Sequence, residues 1–269
     1  LTVFRILDGF YEPADRLIGF LFYYERERRF FAEILSDVDE WDAPFMFSTC
    51  VRRGIYSIGS DLAYKFVCQR IVPPDRQNLG SILRTHRLKE YDEYKLLLLS
   101  EGRCSQDDLY LERIREEELP DEITKRLMKK VLDVIPEDGG EVYIFFRDGH
   151  AGRCDLMPLI GDRREFGRIL QERDVFERVR VSPGGNGIEW GSEHCISAEE
   201  LYEHVTASGL TYDDLMKFVR LRVADTTESA DMLGCSRQYI GQLVREGRLV
   251  PVKSGSNTNL YLKGRLETC

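Results

Sequence analysis

Three apolar-rich runs open the chain, at residues 3–10, 17–24 and 29–35, the last two separated by the charged turn Glu25-Arg26-Glu27-Arg28. Their aromatic and branched side chains predict strands. From about residue 43 to 134 apolar positions recur every three or four residues, which predicts helices. Pro73-Pro74-Asp75 is expected to open one that carries Leu79, Ile82 and Leu83. Tyr91, Tyr94, Leu97 and Leu98 form a second such face, and Leu127, Val131 and Leu132 a third. The charged stretch 112–122, interrupted by Pro120, reads as a surface connection.

Pro136-Glu137-Asp138-Gly139-Gly140 is the clearest boundary signal. Beyond it a β-rich run at 141–146 meets Asp148-Gly149, a hairpin turn. Residues 175–181 alternate, 182–187 turn, and Ile188-Glu189-Trp190 resumes a strand. Ser197-Ala198-Glu199-Glu200 is a capping box for a helix through Leu201, Tyr202 and Val205. A further helix at 210–222, apolar at Leu215, Phe218, Val219 and Leu221, suits a spacer or a dimer contact.

The last fifty residues hold the most specific pattern. Thr227 is expected to cap a short helix, with Glu228 favourable in its first turn. Gly234 supplies the tight turn, and Ser236 caps a second helix that ends near Glu246-Gly247. Ala230 and Leu233 are expected to pack on Ile240, Leu243 and Val244. Residues 249–252, the turn 254–257 and residues 260–262 read as a hairpin. This segment, over 226–267, resembles the excisionase and MerR-type winged helix domains. It shares their Thr-x-x-x-Ala-x-x-x-Gly-x-Ser start and their Gly-x-Leu-x-Pro exit into the wing. Where family wings are rich in Arg, this one offers Lys253, Asn257, Thr258 and Asn259.

The resemblance implies double-stranded DNA as partner, with the second helix entering the major groove by its N-terminal end. Arg237, Gln238, Tyr239 and Gln242 would face bases there, since Arg matches guanine O6/N7 and Gln matches adenine N6/N7. Arg245, Arg248 and Lys253, with the amides near Ser236, are the expected phosphate contacts and Asn257 a further wing contact.

Residues 141–202 are similar to a bacterial domain-of-unknown-function family, the one numbered 2442. The matching residues are Phe146-Arg147-Asp148-Gly149, Asp155-Leu156-Met157-Pro158-Leu159, Phe176, Val179, Ile188-Glu189-Trp190 and Leu201-Tyr202. The family's Pro and Asn-Gly after the Trp appear here as Gly191-Ser192-Glu193. The resemblance implies a small α+β protein-contact module, often the antitoxin side of a two-gene cassette, with no catalytic residues. The same apolar residues are what the inner face of a half-buried sheet needs.

The fold class expected is therefore α+β and multidomain. It comprises an N-terminal α+β domain (1–135), a small sheet-rich domain (137–207) and a winged helix-turn-helix (210–269). Charge refines this picture. The net charge is −9, but residues 221–269 carry seven Lys/Arg against five Asp/Glu, while 137–220 carry ten against 17. Seven scattered cysteines without a C-x-x-C pair argue against a disulfide framework and for the cytoplasm. No secretion signal is expected, and no run reaches the roughly 20 apolar residues that a bilayer requires.

Enzyme signatures such as a P-loop, G-x-S-x-G or H-E-x-x-H do not occur. Neither His150 with Cys154 nor His194 with Cys195 has a second ligand pair, so no metal and no cofactor is expected. The polar clusters Arg76-Gln77-Asn78, Tyr91-Asp92 and 102–107 have plain readings as helix starts and a loop. The resulting expectation is a bacterial DNA-binding regulator. It would be an antitoxin-like autorepressor and homodimer that also holds a toxin-like partner. The alternative is an interaction protein whose helix-turn-helix no longer reads DNA, with an unrecognised enzyme, such as a nuclease using N-terminal acids, behind it.

Overall fold

The apolar runs at the N-terminus form a sheet. The structure, a computed structural model, describes residues 1–11, 13–255 and 258–268 and divides into two units, Leu1–Thr124 and Lys125–Cys269. It is a multidomain α+β protein.

In the first unit β1 (Thr2–Asp8), β2 (Arg16–Tyr24) and β3 (Arg29–Ile34) form an antiparallel meander. Its edges are β4 (Ser57–Ile58) and β5 (Leu109–Ile114), in the order β4-β3-β2-β1-β5. Phe4, Leu21 and Ala32 stand opposite one another on one face, and Val3, Phe22 and Phe31 on the other. All six are buried, which explains why β2 reads as a continuous apolar run rather than an alternating one. Gly19 is required there, because a Cβ would lie 2.4 Å from the Glu33 carbonyl oxygen.

The helices of this unit are α1 (Ser48–Arg52), α2 (Ser60–Cys68), α3 (Leu79–Thr85) and α4 (Glu93–Ser100). Phe66 and Val67 of α2 and Leu96 and Leu97 of α4 join the first sheet face in one core. Tyr94 stacks on Tyr23 with ring centroids 4.3 Å apart. The division between the units falls within α5 (Asp121–Met128).

Three expectations are corrected in these stretches. Pro73-Pro74 leads a turn, in which Arg76 N–H donates to the Pro73 carbonyl, and α3 begins only at Leu79. The charged stretch 112–122 starts inside β5, where Glu112 meets Arg5 at 3.2 Å. Val131 and Leu132 belong to a strand, because the helix before them ends at Met128 and the segment pairs with 141–146.

Among the described residues the second unit has three sheets. The first is β6 (Val131–Pro136), β7 (Glu141–Phe146), β8 (Ala151–Asp155) and, later in the chain, β12 (Thr206–Ala207), in the order β12-β8-β7-β6. The Pro136–Gly140 signal, expected as a domain boundary, is the turn of the β6–β7 hairpin. Short helices α6 (Met157–Ile160), α7 (Gly167–Gln171) and α8 (Arg173–Phe176) lead to the second sheet. That sheet is β9 (Arg180–Val181), β10 (Gly187–Glu189) and β11 (Cys195–Ser197). Ile144, Phe146, Leu156, Phe166, Ile188 and Trp190 share its core, and the Trp190 indole N–H donates to the Phe176 carbonyl at 2.9 Å. The capping box at Ser197 and Glu200 opens α9 (Ala198–His204).

After β12 come α10 (Tyr212–Arg222), β13 (Val223–Asp225), α11 (Thr226–Met232), α12 (Arg237–Arg245), β14 (Lys253–Ser254), β15 (Asn259–Leu262) and α13 (Lys263–Thr268). The third sheet has the order β13-β15-β14. Its small core is Ala224, Ala230, Ile240, Leu243, Leu249, Tyr261 and Leu266.

This C-terminal piece is bonded into the rest of its unit. Arg222 at the end of α10 is buried, donating from Nε to Asp133 of β6 at 2.6 Å and from Nη2 to Glu267 of α13. Glu267 also accepts from Val181 N–H, and Asp133 from Gly264 N–H. A Cβ on Gly264 would lie 2.2 Å from the Leu132 carbonyl oxygen, so glycine is needed for that approach.

Candidate nucleic-acid interface

The residue that starts α11 is Asp225. Its carboxylate accepts from Thr227 N–H at 2.6 Å and Glu228 N–H at 2.9 Å, so the expected Thr227 cap is corrected by two positions. Those two N–H donors, with Arg237 nearby, hold its carboxyl below the ordinary range. Asp-x-x-Glu is itself a start signal, and reading it as such places the cap correctly.

The turn follows from Gly234 at φ +60, a conformation that costs glycine little. Ser236 then accepts from Tyr239 N–H at 3.2 Å and caps α12 as expected. Ile240 and Leu243 turn inward onto Ala230, with Leu233 and Val244 partly buried beside them. The opposite face is left to solvent, and Ser236, Arg237, Gln238, Tyr239, Gln242 and Arg245 are all exposed there. Gly247, at φ +71, ends the helix.

Leu249 returns to the core, and Arg248 and Lys253 are exposed on either side of it in sequence. Lys253 lies opposite Leu260 in the β14–β15 hairpin. Thr258 donates to Thr226 Oγ1 at 3.1 Å, tying the hairpin to the start of α11. Asn257, expected as a wing contact, lies outside the described residues.

One group on this face was not anticipated. Glu246 accepts from Gln242 Nε2 at 2.7 Å and lies 3.7 Å from Arg248. The four-residue spacing of Gln242 and Glu246 on a helix was the available signal. Arg237, Arg245 and Lys253 enter no ion pair among the described residues. The face thus offers guanidinium and ammonium groups with a glutamine and a tyrosine among them. Such a set can bond phosphate oxygens and base edges.

No family model and no curated protein matches the chain. It is similar to a solved structure of a candidate DNA-binding protein from Nitrosomonas europaea, with 17% identity and a TM-score of 0.26. The likeness covers 46% of this chain and 79% of that one, and a score so low says nothing of function. Among the described residues no helix is long and apolar enough to cross a membrane.

Proposed function

We propose that this chain is a sequence-specific DNA-binding regulator that reads the major groove with α12. The carrying observation is the division of α12 into an inward apolar face and an outward face of Arg237, Gln238, Tyr239, Gln242 and Arg245. Arg237 and Gln238 are the base-reading pair, directly after the Ser236 cap, while Arg245, Arg248 and Lys253 meet phosphates. The finer role is that of an antitoxin-like autorepressor in the bacterial cytoplasm that also holds a toxin-like protein. It rests on the resemblance of residues 141–202 and on scattered cysteines that form no C-x-x-C pair. The test is binding of the full chain to the DNA upstream of its own gene. Arg237→Ala or Gln238→Ala should each cost about 1–3 kcal/mol on that site and relax one base position. Equal affinity of parent and variants for cognate and scrambled duplexes would remove the reading.

The regulator acts as a homodimer. Tyr212, Leu215, Met216 and Val219 of α10 are exposed at 74, 47, 50 and 49% and follow i, i+3, i+4, i+7 spacing. Asp213 and Arg220 flank this stripe seven residues apart, so antiparallel pairing with a second copy sets each Asp213 toward the partner's Arg220. Two copies present two reading helices to a palindromic site. Sedimentation should give a dimer for the parent and a monomer for Leu215→Lys; a monomeric parent contradicts the pairing.

The second reading, an interaction protein that no longer reads DNA, is favoured by Glu246, which engages Gln242 and lies beside Arg248. The same binding measurement separates the two.

A further inference from the structure

Two polar clusters with plain readings in the sequence, around Arg76 and at 102–107, come together in the first unit. They line an open cavity of about 370 Å³, within the usual size of small-molecule sites. Its walls are the segment from α2 to α3, α3 itself, the end of α4 and the loop before β5. Arg70, Arg76, His86 and Arg103 line it, and no Asp or Glu does. That is a local reversal in a chain with 47 acidic and 38 basic residues. Ile82, Leu96 and Leu99 supply an apolar side.

Arg70 is a built part of this site. Its side chain is 1% exposed, lies 3.7 Å from the Phe66 ring centroid, and donates to the Phe66 carbonyl and to Asp107 at 2.6 Å. Its Nε is buried with no hydrogen-bond partner. An orphaned donor on a buried guanidinium calls for an explanation, and an anion in the cavity is one. Asp107 offsets the Arg70 charge. Arg76 and His86 enter no ion pair among the described residues. Arg103 stacks on Tyr110 at 4.4 Å and, among the described residues, has one acidic neighbour within ion-pair distance, the exposed Glu101 at 3.9 Å. Two guanidinium groups are thus left for a ligand, which suits the roughly two negative charges of a phosphomonoester better than a carboxylate.

We propose that this cavity binds a small phosphomonoester through Arg76 and Arg103, with Arg70 Nε as a further donor to it and the apolar part of the ligand against Ile82, Leu96 and Leu99. The site lies in the first unit and shares no residue with the α12 face.

Calorimetric titration of the full chain with phenyl phosphate, inorganic phosphate and neutral benzyl alcohol tests it. Phenyl phosphate should bind, inorganic phosphate about tenfold more weakly for want of an apolar part, and benzyl alcohol not measurably. Both arginines are exposed, so the double variant Arg76→Ala, Arg103→Ala should keep the parent's melting temperature while losing about tenfold or more in phenyl phosphate affinity. Absence of binding at millimolar phenyl phosphate overturns the proposal. So does unchanged affinity in the double variant, which would put the anion elsewhere, α12 included.

Discussion

Glu246 shows how one side chain shifts the charge balance on the face proposed to read DNA. Its carboxylate is 40% exposed, takes the Gln242 amide at 2.7 Å and sits 3.7 Å from Arg248. On a duplex it would face phosphates, and Gln242 would have to exchange this bond for one to a base. Glu246→Gln removes the negative charge while keeping an acceptor for Gln242. It should tighten DNA binding by a factor of about two to five, the scale of an exposed charge pair. Fluorescence anisotropy reads the change, and weaker binding would mean that Glu246 positions Gln242 rather than opposing DNA. The exposed positions of α12 were legible in the sequence, because Ser236, Gly247 and the spacing of Ile240, Leu243 and Val244 set the helix and its inward side locally. The part played by Glu246 was less legible, because a carboxylate at the end of a basic helix reads first as a solvated charge, and only its distance from Gln242 marks it as a partner.

At the scale of elements, the parts written in local signals were readable. The runs of β1 to β3, the Asp148-Gly149 hairpin, the Ser197 box and the Ser236 cap need only neighbours in sequence. Strands β5 and β6 did not announce themselves, since β5 takes its place by pairing with β1 about a hundred residues away and β6 by pairing across a turn that looked like a boundary. The caps that start these helices carry a pH signature. Backbone donors hold Asp225 below the ordinary carboxylate range. At Asp214 and Glu200 burial works the other way, but hydrogen bonds from Thr211 and Ser197 and the partners Arg153 and Arg163 bring their carboxyls below it too. Their stabilisation is complete above the ordinary values near 4 and is lost as pH falls through the lowered folded-state values. Asp133 runs in the opposite sense, because burial raises its carboxyl despite Arg222, and it softens that loss. Thermal unfolding should therefore be nearly flat from pH 7 to 5 and fall steeply below about 4. A melting temperature that rises below pH 4 would contradict these assignments.

At the scale of the whole chain, charge and long-range bonding bear on the role proposed for α12. Arg222 links Asp133 and Glu267 across separations of 89 and 45 residues, which no local pattern reveals, and so the C-terminal piece is held by the strand it was expected to be separate from. Losing one partner of such a buried group leaves charge unpaired and is strongly destabilising, so DNA binding is a property to be measured on the full chain. The net charge of −9 sets a demanding condition, since residues 221–269 carry only seven Lys/Arg against five Asp/Glu. The most direct test is the affinity of the full chain for duplex DNA, cognate and scrambled, over a range of salt. With Arg245, Arg248 and Lys253 on phosphates at about 0.9 per contact, the log–log salt slope should be about −3 for one copy bound and about −5 for two. Arg245→Ala with Lys253→Ala should flatten it, while Arg237→Ala should weaken the preference for cognate DNA by about 1–3 kcal/mol. Binding that is absent, or a slope that those variants leave unchanged, would contradict the account.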